Sequence, residues 1–353
     1  MVIPTLLTKH REAILARSKN FFDEIHEARP LRDKPLDDVI ETLSTFITKG
    51  KLLRGCMLME MYELLSGKPG SVMTSAGLGI ECLHTSLLIH DDVIDHDTYR
   101  RNVPTVHIHY QAVASKENIP DSTFYGQMIA TILGDMGFFL GLRLINQVLD
   151  EKTATRIHEM LTRELWLVGE AELFDFHYGV ASEEPSNETI ETIYRYKTGR
   201  YTFSLPLCIG AMLAEADSDT ISLLEQYGEH IGVIFQIKDD ELGFLGLVKI
   251  LAKRLVLTFE KTRKQLSGSY SSIDLMLLRQ TLHTQFFGKK EVSPDEFKRL
   301  YELCEKYDIY QSLASWIHHE EKKALAIVDE SPFSESTRSF LRQLVEFNVT
   351  RTR

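Results

Sequence analysis

The segment HDDVIDHDTYRR, His90 to Arg101, places four aspartates, Asp91, Asp92, Asp95 and Asp97, within seven residues and follows them with two arginines. On a helix Asp91 and Asp95 stand at i and i+4, so their carboxylates share one face with Asp92 beside them. Like charges at that spacing repel by roughly a few tenths of a kcal/mol unless a cation sits between them. A hard divalent cation with oxygen ligands fits. Magnesium in particular takes one or two protein carboxylates and leaves its other positions to water and phosphate. Arg100 and Arg101 would hold the far side of such a phosphate through permanently charged, bidentate donors. The competing reading is a solvated acidic helix end followed by a basic turn.

The same pattern occurs twice. LLIHDDVID, Leu87 to Asp95, and FQIKDDELG, Phe235 to Gly243, both run from apolar residues into paired aspartates. Each closes a long apolar helix with carboxylates. Two such helices facing across a bundle would aim acids at one another at the mouth of an apolar cavity, and magnesium diphosphate would neutralise both clusters.

Most of the chain carries helical periodicity, and little of it alternates as a half-buried strand does. Breaks fall at clusters of Pro, Gly, Ser, Asn and Asp such as HEARPLRDKPLDD, QAVASKENIPDS and GVASEEPSNE. Ser293 before Pro294 reads as a helix N-cap. Long helices with broad apolar faces predict an all-α, single-domain bundle of mostly antiparallel helices around a deep central apolar cavity. No linker composition divides the 353 residues. One domain over 1–353 is therefore expected, with a motif-bearing core over 40–260 and C-terminal helices over 270–353.

A hydrophobic content of 43% is ample for a sizeable core, and a net charge of −11 argues against nucleic acid or an anionic membrane surface as a partner. Cys56, Cys82, Cys208 and Cys304 form no C-x-x-C pair and read as reduced core residues of a cytoplasmic protein. The first residues lack an apolar signal core, and no run reads as long enough to span a membrane, so no stable membrane insertion is expected. Arg351 and Arg353 could reach an active site, but they read as a frayed tail.

Five elements in order resemble the trans-isoprenyl diphosphate synthases: KGKLLRG, HDDVID, RRNVPTVH, YKTGRYTFSLPL and FQIKDDELG. The resemblance runs from about residue 40 into the C-terminal third. It implies a magnesium-dependent prenyltransferase of the isoprenoid synthase fold, joining isopentenyl diphosphate head-to-tail (1′-4) to an allylic diphosphate. By the same resemblance Lys51, Arg54, His84 and Arg101 hold the diphosphate of isopentenyl diphosphate. Asp91, Asp95 and Asp239 bind magnesium, about two or three ions that arrive with the allylic diphosphate. Arg100, Lys197 and Gln236 contact that diphosphate, and the Thr198 hydroxyl faces the developing cation. A homodimer is also implied. Without the motif context, Lys51 and Arg54 read as ordinary bases at a helix start, His84 as a core histidine, and Lys197 and Thr198 as an exposed pair on a helix kinked near Gly199 and Pro206.

Two features depart from the family pattern. The second motif ends in Gly243 where many members have aspartate, leaving Asp240 and Glu241. After Gly246 the chain runs directly into LVKILAKRLVLTF, where a polar, lysine-bearing closing loop is usual. Either the loop is absent, and turnover suffers, or it is a mobile loop that a structure would not show; the second is expected. Product length should follow the depth of the cavity below the first motif. Ser86 and Leu87, five and four residues before Asp91, leave room there, with Phe138 and Phe139 as a deeper floor. Geranylgeranyl diphosphate or a longer product is expected. The alternatives are a catalytically weak subunit of a heteromeric synthase and a class I terpene cyclase, which has no need for a second diphosphate site.

Overall fold

Apolar residues recurring at helical spacing become helix almost throughout. A computed structural model describes residues 3–30, 38–181, 185–255 and 309–351. The helices are α1 (Ile3–Ala28), α2 (Val39–Thr48), α3 (Leu53–Ser66), α4 (Thr74–Ile94), α5 (Val106–Lys116), α6 (Ser122–Asn146), α7 (Glu151–Val180), α8 (Asn187–Ile193), α9 (Leu205–Leu213), α10 (Ser218–Leu255), α11 (Ile309–Glu330) and α12 (Glu335–Thr350). A π-helical segment, Tyr194–Ser204, joins α8 to α9. The strands among the described residues are β1 (Tyr99–Arg100) and β2 (Val103–Pro104). The chain is all-α, as its periodicity predicts. The Ser293–Pro294 cap, Cys304 and residues 270–308 lie outside the described residues, as does Arg353.

The chain divides into two compact units, Met1–Glu159 with Pro206–Ile221, and Met160–Leu205 with Ser222–Arg353. Each takes two separate stretches, so no linker composition marks the division.

In the first unit α4 is buried over most of its surface, including Leu78, Ile80, Leu83 and Ile89. It packs along α6, and small residues set the distance. Gly134, Gly137 and Gly141 on α6 face His90, Ser86 and Gly79 of α4, and a Cβ at any of them would run into the opposing helix. Phe21 of α1, fully buried, closes part of the remaining core with Ile14. Two helical stretches, Gly70–Ile94 and Ser122–Asn146, reach the length and mean hydropathy (1.3 and 1.7) of a membrane span, which corrects the expectation that none would. Their apolarity has a local cause: the window in the first is 61% buried inside the protein, and the second carries the glycine face against α4.

The second unit is organised around the π-helical segment. Pro206 has no N–H to give to the carbonyl four residues back, and its ring crowds that carbonyl, which favours a wider turn before it. Gly232 of α10 faces the Gly199 backbone so closely that a Cβ at Gly232 would run into it. Buried Arg200 ties the segment down: Nε and Nη2 donate to Glu164 Oε2 and Oε1 at 2.9 and 2.6 Å, and Nη1 donates to Glu229. The kink expected near Gly199 is therefore eleven residues of wide helix. Downstream, α10 passes unbroken through Gly246 to Leu255.

Candidate active site

Helix α4 positions the first acid cluster. Asp95 N–H donates to Asp91 O at 2.8 Å, confirming the i, i+4 relation of the two carboxylates at the open end of the helix. His90 anchors the turn before them, its Nε2 3.1 Å from Thr131 O of α6. Asp92 points inward and is fully buried. Burial pushes its carboxyl up to about 6 against the opposing pull of Arg100, and its Oδ2 has no hydrogen-bond partner among the described residues.

The basic turn is a β-hairpin, which the sequence reading missed. Tyr99 pairs with Pro104 and Arg100 with Val103, leaving Arg101 and Asn102 as a two-residue turn. Both turn residues have positive φ, 54° and 63°, the type I′ geometry. Asn102 was the available signal. The hairpin sends consecutive arginines in different directions. Arg100 donates to Asp92, to Asp97 Oδ2 at 3.0 Å and to Asp91 Oδ2 at 3.4 Å. Arg101 donates from Nη1 to Phe46 O at 2.6 Å, and its guanidinium lies against Gly50, where a Cβ would come within 3.0 Å of Cζ.

Arg101 thereby joins the turn that begins α3, where Leu52 also has positive φ, 55°. Lys51 is exposed, and Arg54 on α3 and His84 on α4 are half-buried. Burial, then Arg54, Arg101 and Arg100, hold the His84 imidazole well below its usual range, so it is neutral at pH 7. A neutral imidazole among guanidinium groups can donate one N–H to an anion without adding to the repulsion.

In the second unit the π-helical segment presents Lys197 and Thr198. Lys197 Nζ lies 2.7 Å from Asp175 Oδ2 and 3.0 Å from Glu172 Oε2, both on α7. Thr198 Oγ1 donates to Gln236 Oε1 at 2.7 Å. One turn on from Gln236, Asp239 accepts from Arg351, whose guanidinium carbon stands 4.0 Å over the Phe235 ring. The Arg351 side chain is only 9% exposed. This corrects the reading of Arg351 as a frayed tail: a carboxylate and an aromatic face hold it. Glu172, Asp175 and the pairing of Arg351 escaped sequence reasoning because their partners lie 25, 22 and 112 residues away. The side chains of Asp240 and Glu241 lie outside those described.

The structure therefore brings together Asp91, Asp95 and Arg100 in one unit and Lys197, Thr198, Gln236 and Asp239 in the other. Asp91 and Asp95 fit a hard divalent cation: two carboxylates at the open end of a helix, with a permanently charged arginine beside them. Of the residues tied to product length, Ser86 is fully buried, donates to Cys82 O at 3.0 Å and faces Gly137. The room its small side chain leaves is taken by α6. Phe138 contacts His90 at a ring separation of 5.8 Å, whereas Phe139 is 71% exposed in the single chain. Leu87 is half-buried.

An all-α chain with two acid clusters, each beside phosphate-binding residue types, has the make-up of a prenyl diphosphate synthase. The solved structure of geranylgeranyl pyrophosphate synthase from Corynebacterium glutamicum, crystallised with isoprenyl diphosphate and magnesium, shares the fold. It has a TM-score of 0.80 and 23% identity, over 98% of this chain and 99% of that one. Geranylgeranyl diphosphate synthase of Sulfolobus acidocaldarius is 27% identical over 312 residues, 87% of this chain and 88% of the relative. The short chain isoprenyl diphosphate synthase of Methanocaldococcus jannaschii is 26% identical over 296 residues, 83% and 84%. The sequence pattern of the polyprenyl synthetase family matches residues 36–258, and the chain belongs to that family.

Proposed function

We propose that this protein condenses isopentenyl diphosphate head-to-tail with an allylic diphosphate, extending a trans-prenyl chain to geranylgeranyl length or beyond and releasing diphosphate. The observation that carries this reading is the hairpin. Its two arginines turn one guanidinium onto the acid cluster and the next onto the Gly50–Arg54 turn, which suits two diphosphates bound side by side. A terpene cyclase has one diphosphate to hold and no use for the second arm.

Lys51, Arg54, Arg101 and neutral His84 hold the homoallylic diphosphate by charge and hydrogen bonds. Arg100, Lys197 and Gln236 orient the allylic diphosphate, and Asp91, Asp95 and Asp239 would hold magnesium against it. Magnesium, when bound, neutralises charge on the leaving diphosphate. As the allylic C1–O bond breaks, these side chains hold the departing group in place. The isopentenyl double bond then forms the new C–C bond at that carbon, and a proton is lost to the departed diphosphate. The Thr198 hydroxyl, fixed by Gln236, presents its oxygen to the positive charge. Positioning and charge stabilisation supply the rate; no nucleophile is required.

The relatives named as geranylgeranyl diphosphate synthases support that product length. A homodimer is supported by α6, where Phe124, Met128, Ile132, Met136 and Phe139 form an exposed apolar stripe at spacings of four, four, four and three. A cytoplasmic location and reduced state are supported by the thiols of Cys56, Cys82 and Cys208, all buried in the core. One observation favours a second reading: α10 stays helical where members carry a closing loop, which suits a weakly active subunit of a heteromeric synthase. Product chromatography after incubation with magnesium, isopentenyl diphosphate and farnesyl diphosphate separates the readings. The proposal predicts an elongated all-trans diphosphate; a cyclised hydrocarbon, or no product until another subunit is added, overturns it.

A further inference from the structure

Glu81 is a buried acid that the reaction above leaves unused. It lies on α4 one turn before His84, with 2% of its surface exposed. A carboxylate in such a place costs several kcal/mol to desolvate, and an apolar residue of the same volume would pack there at less expense. Its partners are specific. Glu81 Oε1 accepts from Gly55 N–H at 2.8 Å, and the Arg54 N–H also donates to the carboxyl. These two donors belong to the first turn of α3, where N–H groups have no partner within the helix. The approach needs glycine: a Cβ on Gly55 would stand within 3.0 Å of the Gly77 carbonyl group, one helical turn before Glu81.

The electrostatic surroundings point the same way. Burial raises Glu81, while Arg54 and Arg101 both act to lower it. Burial lowers Arg101, Glu81 opposes that, and Arg100 and Arg54 add repulsion. Burial outweighs the arginines and leaves the Glu81 carboxyl raised, beside two arginines that come from separate elements, the start of α3 and the hairpin turn.

We propose that Glu81 is a positioning residue for the homoallylic diphosphate, holding the first turn of α3 by its backbone donors so that Arg54 and Arg101 face the same anion. The proposal rests on the assignment of Arg54 and Arg101 to that substrate. Glutamine keeps an acceptor oxygen for the Gly55 N–H, and alanine keeps none.

Steady-state kinetics with each substrate varied in turn test it, on Glu81→Ala, Glu81→Gln and Arg101→Ala proteins checked for folding by circular dichroism. The expected result is a KM for isopentenyl diphosphate raised about tenfold or more in Glu81→Ala. Its KM for the allylic substrate and its kcat stay within about threefold, and Glu81→Gln recovers most of the loss. If Glu81→Ala does not fold, the glutamine variant decides: the proposal requires its KM for isopentenyl diphosphate to stay within about threefold of the parent. Equal losses for both substrates, or a glutamine variant as impaired as alanine, would reduce Glu81 to a structural residue and overturn the proposal. If Arg101→Ala raises the isopentenyl KM and Glu81→Ala does not, only the role of Glu81 falls. If Arg101→Ala leaves that KM unchanged, the site assignment falls and the proposal with it.

Discussion

The acid cluster at the end of α4 and the one on α10 look alike in sequence, yet they obtain their counter-charge differently. Asp91 and Asp92 are paired with Arg100, nine and eight residues along the same chain segment and delivered by a two-residue turn. Asp239 is paired with Arg351, 112 residues away at the end of α12 and braced by the Phe235 ring. The first arrangement is local and persists whenever the hairpin forms. The second requires α12 to be docked. The counter-charge of the first cluster is thus built into its own segment, and that of the second depends on the packing of a distant helix.

That contrast gives an ordered set of expected outcomes. Asp91→Ala should reduce kcat about 10³-fold, and Asp239→Ala about 10²-fold, by removing ligands for leaving-group charge; a larger loss at Asp239 would reverse the ranking of the two clusters. Breaking the ion pair beneath the π-helical segment with Glu164→Ala should destabilise the protein by about 3 kcal/mol, because Arg200 is left buried and poorly paired. Urea unfolding reads this directly, and a change under about 1 kcal/mol would mean that the segment does not depend on the pair. Ser86→Phe should cost about 1–3 kcal/mol in stability, since α6 at Gly137 leaves no room beside it. An unchanged melting temperature would contradict that packing. Arg351→Ala should lower the magnesium concentration for half-maximal activity about threefold by uncovering Asp239, whereas Arg100→Ala should not. Magnesium titrations of the two variants compare them.

The smallest effect concerns pH. Burial raises the Glu320 carboxyl, but the hydrogen bond from His230 at 2.6 Å and the charge of Lys323 outweigh it, leaving a net lowering. A lowered carboxylate contributes stability above its unfolded value, about 4.3, and loses it as pH falls through the folded value. Glu320→Gln should therefore flatten the stability profile on the acid side of about pH 4.3, measured by urea unfolding at a series of pH values.

Features that a short window contains were legible in the sequence. The i, i+4 aspartates, the helical class and the Lys-Thr element each depend on residues within one or two turns. The hairpin was within reach too, since Asn102 before Val103 and Pro104 is a turn signal, but Arg101 with positive φ is unusual enough to hide it. What escaped depends on long-range packing. Lys197 settles on Glu172 and Asp175 because α7 passes beside the π-helical segment, and Arg351 is ordered only because α12 docks. The space inferred at Ser86 vanished for a similar reason: glycines on α6, invisible as partners in sequence, let that helix close in.

The central claim is that the hairpin divides two diphosphates between consecutive arginines, and separate KM values for the two substrates in Arg100→Ala and Arg101→Ala test it most directly. The account predicts a crossed pattern, with Arg101→Ala raising the KM for isopentenyl diphosphate about tenfold and Arg100→Ala doing the same for the allylic diphosphate. Parallel increases for both substrates in both variants would contradict it.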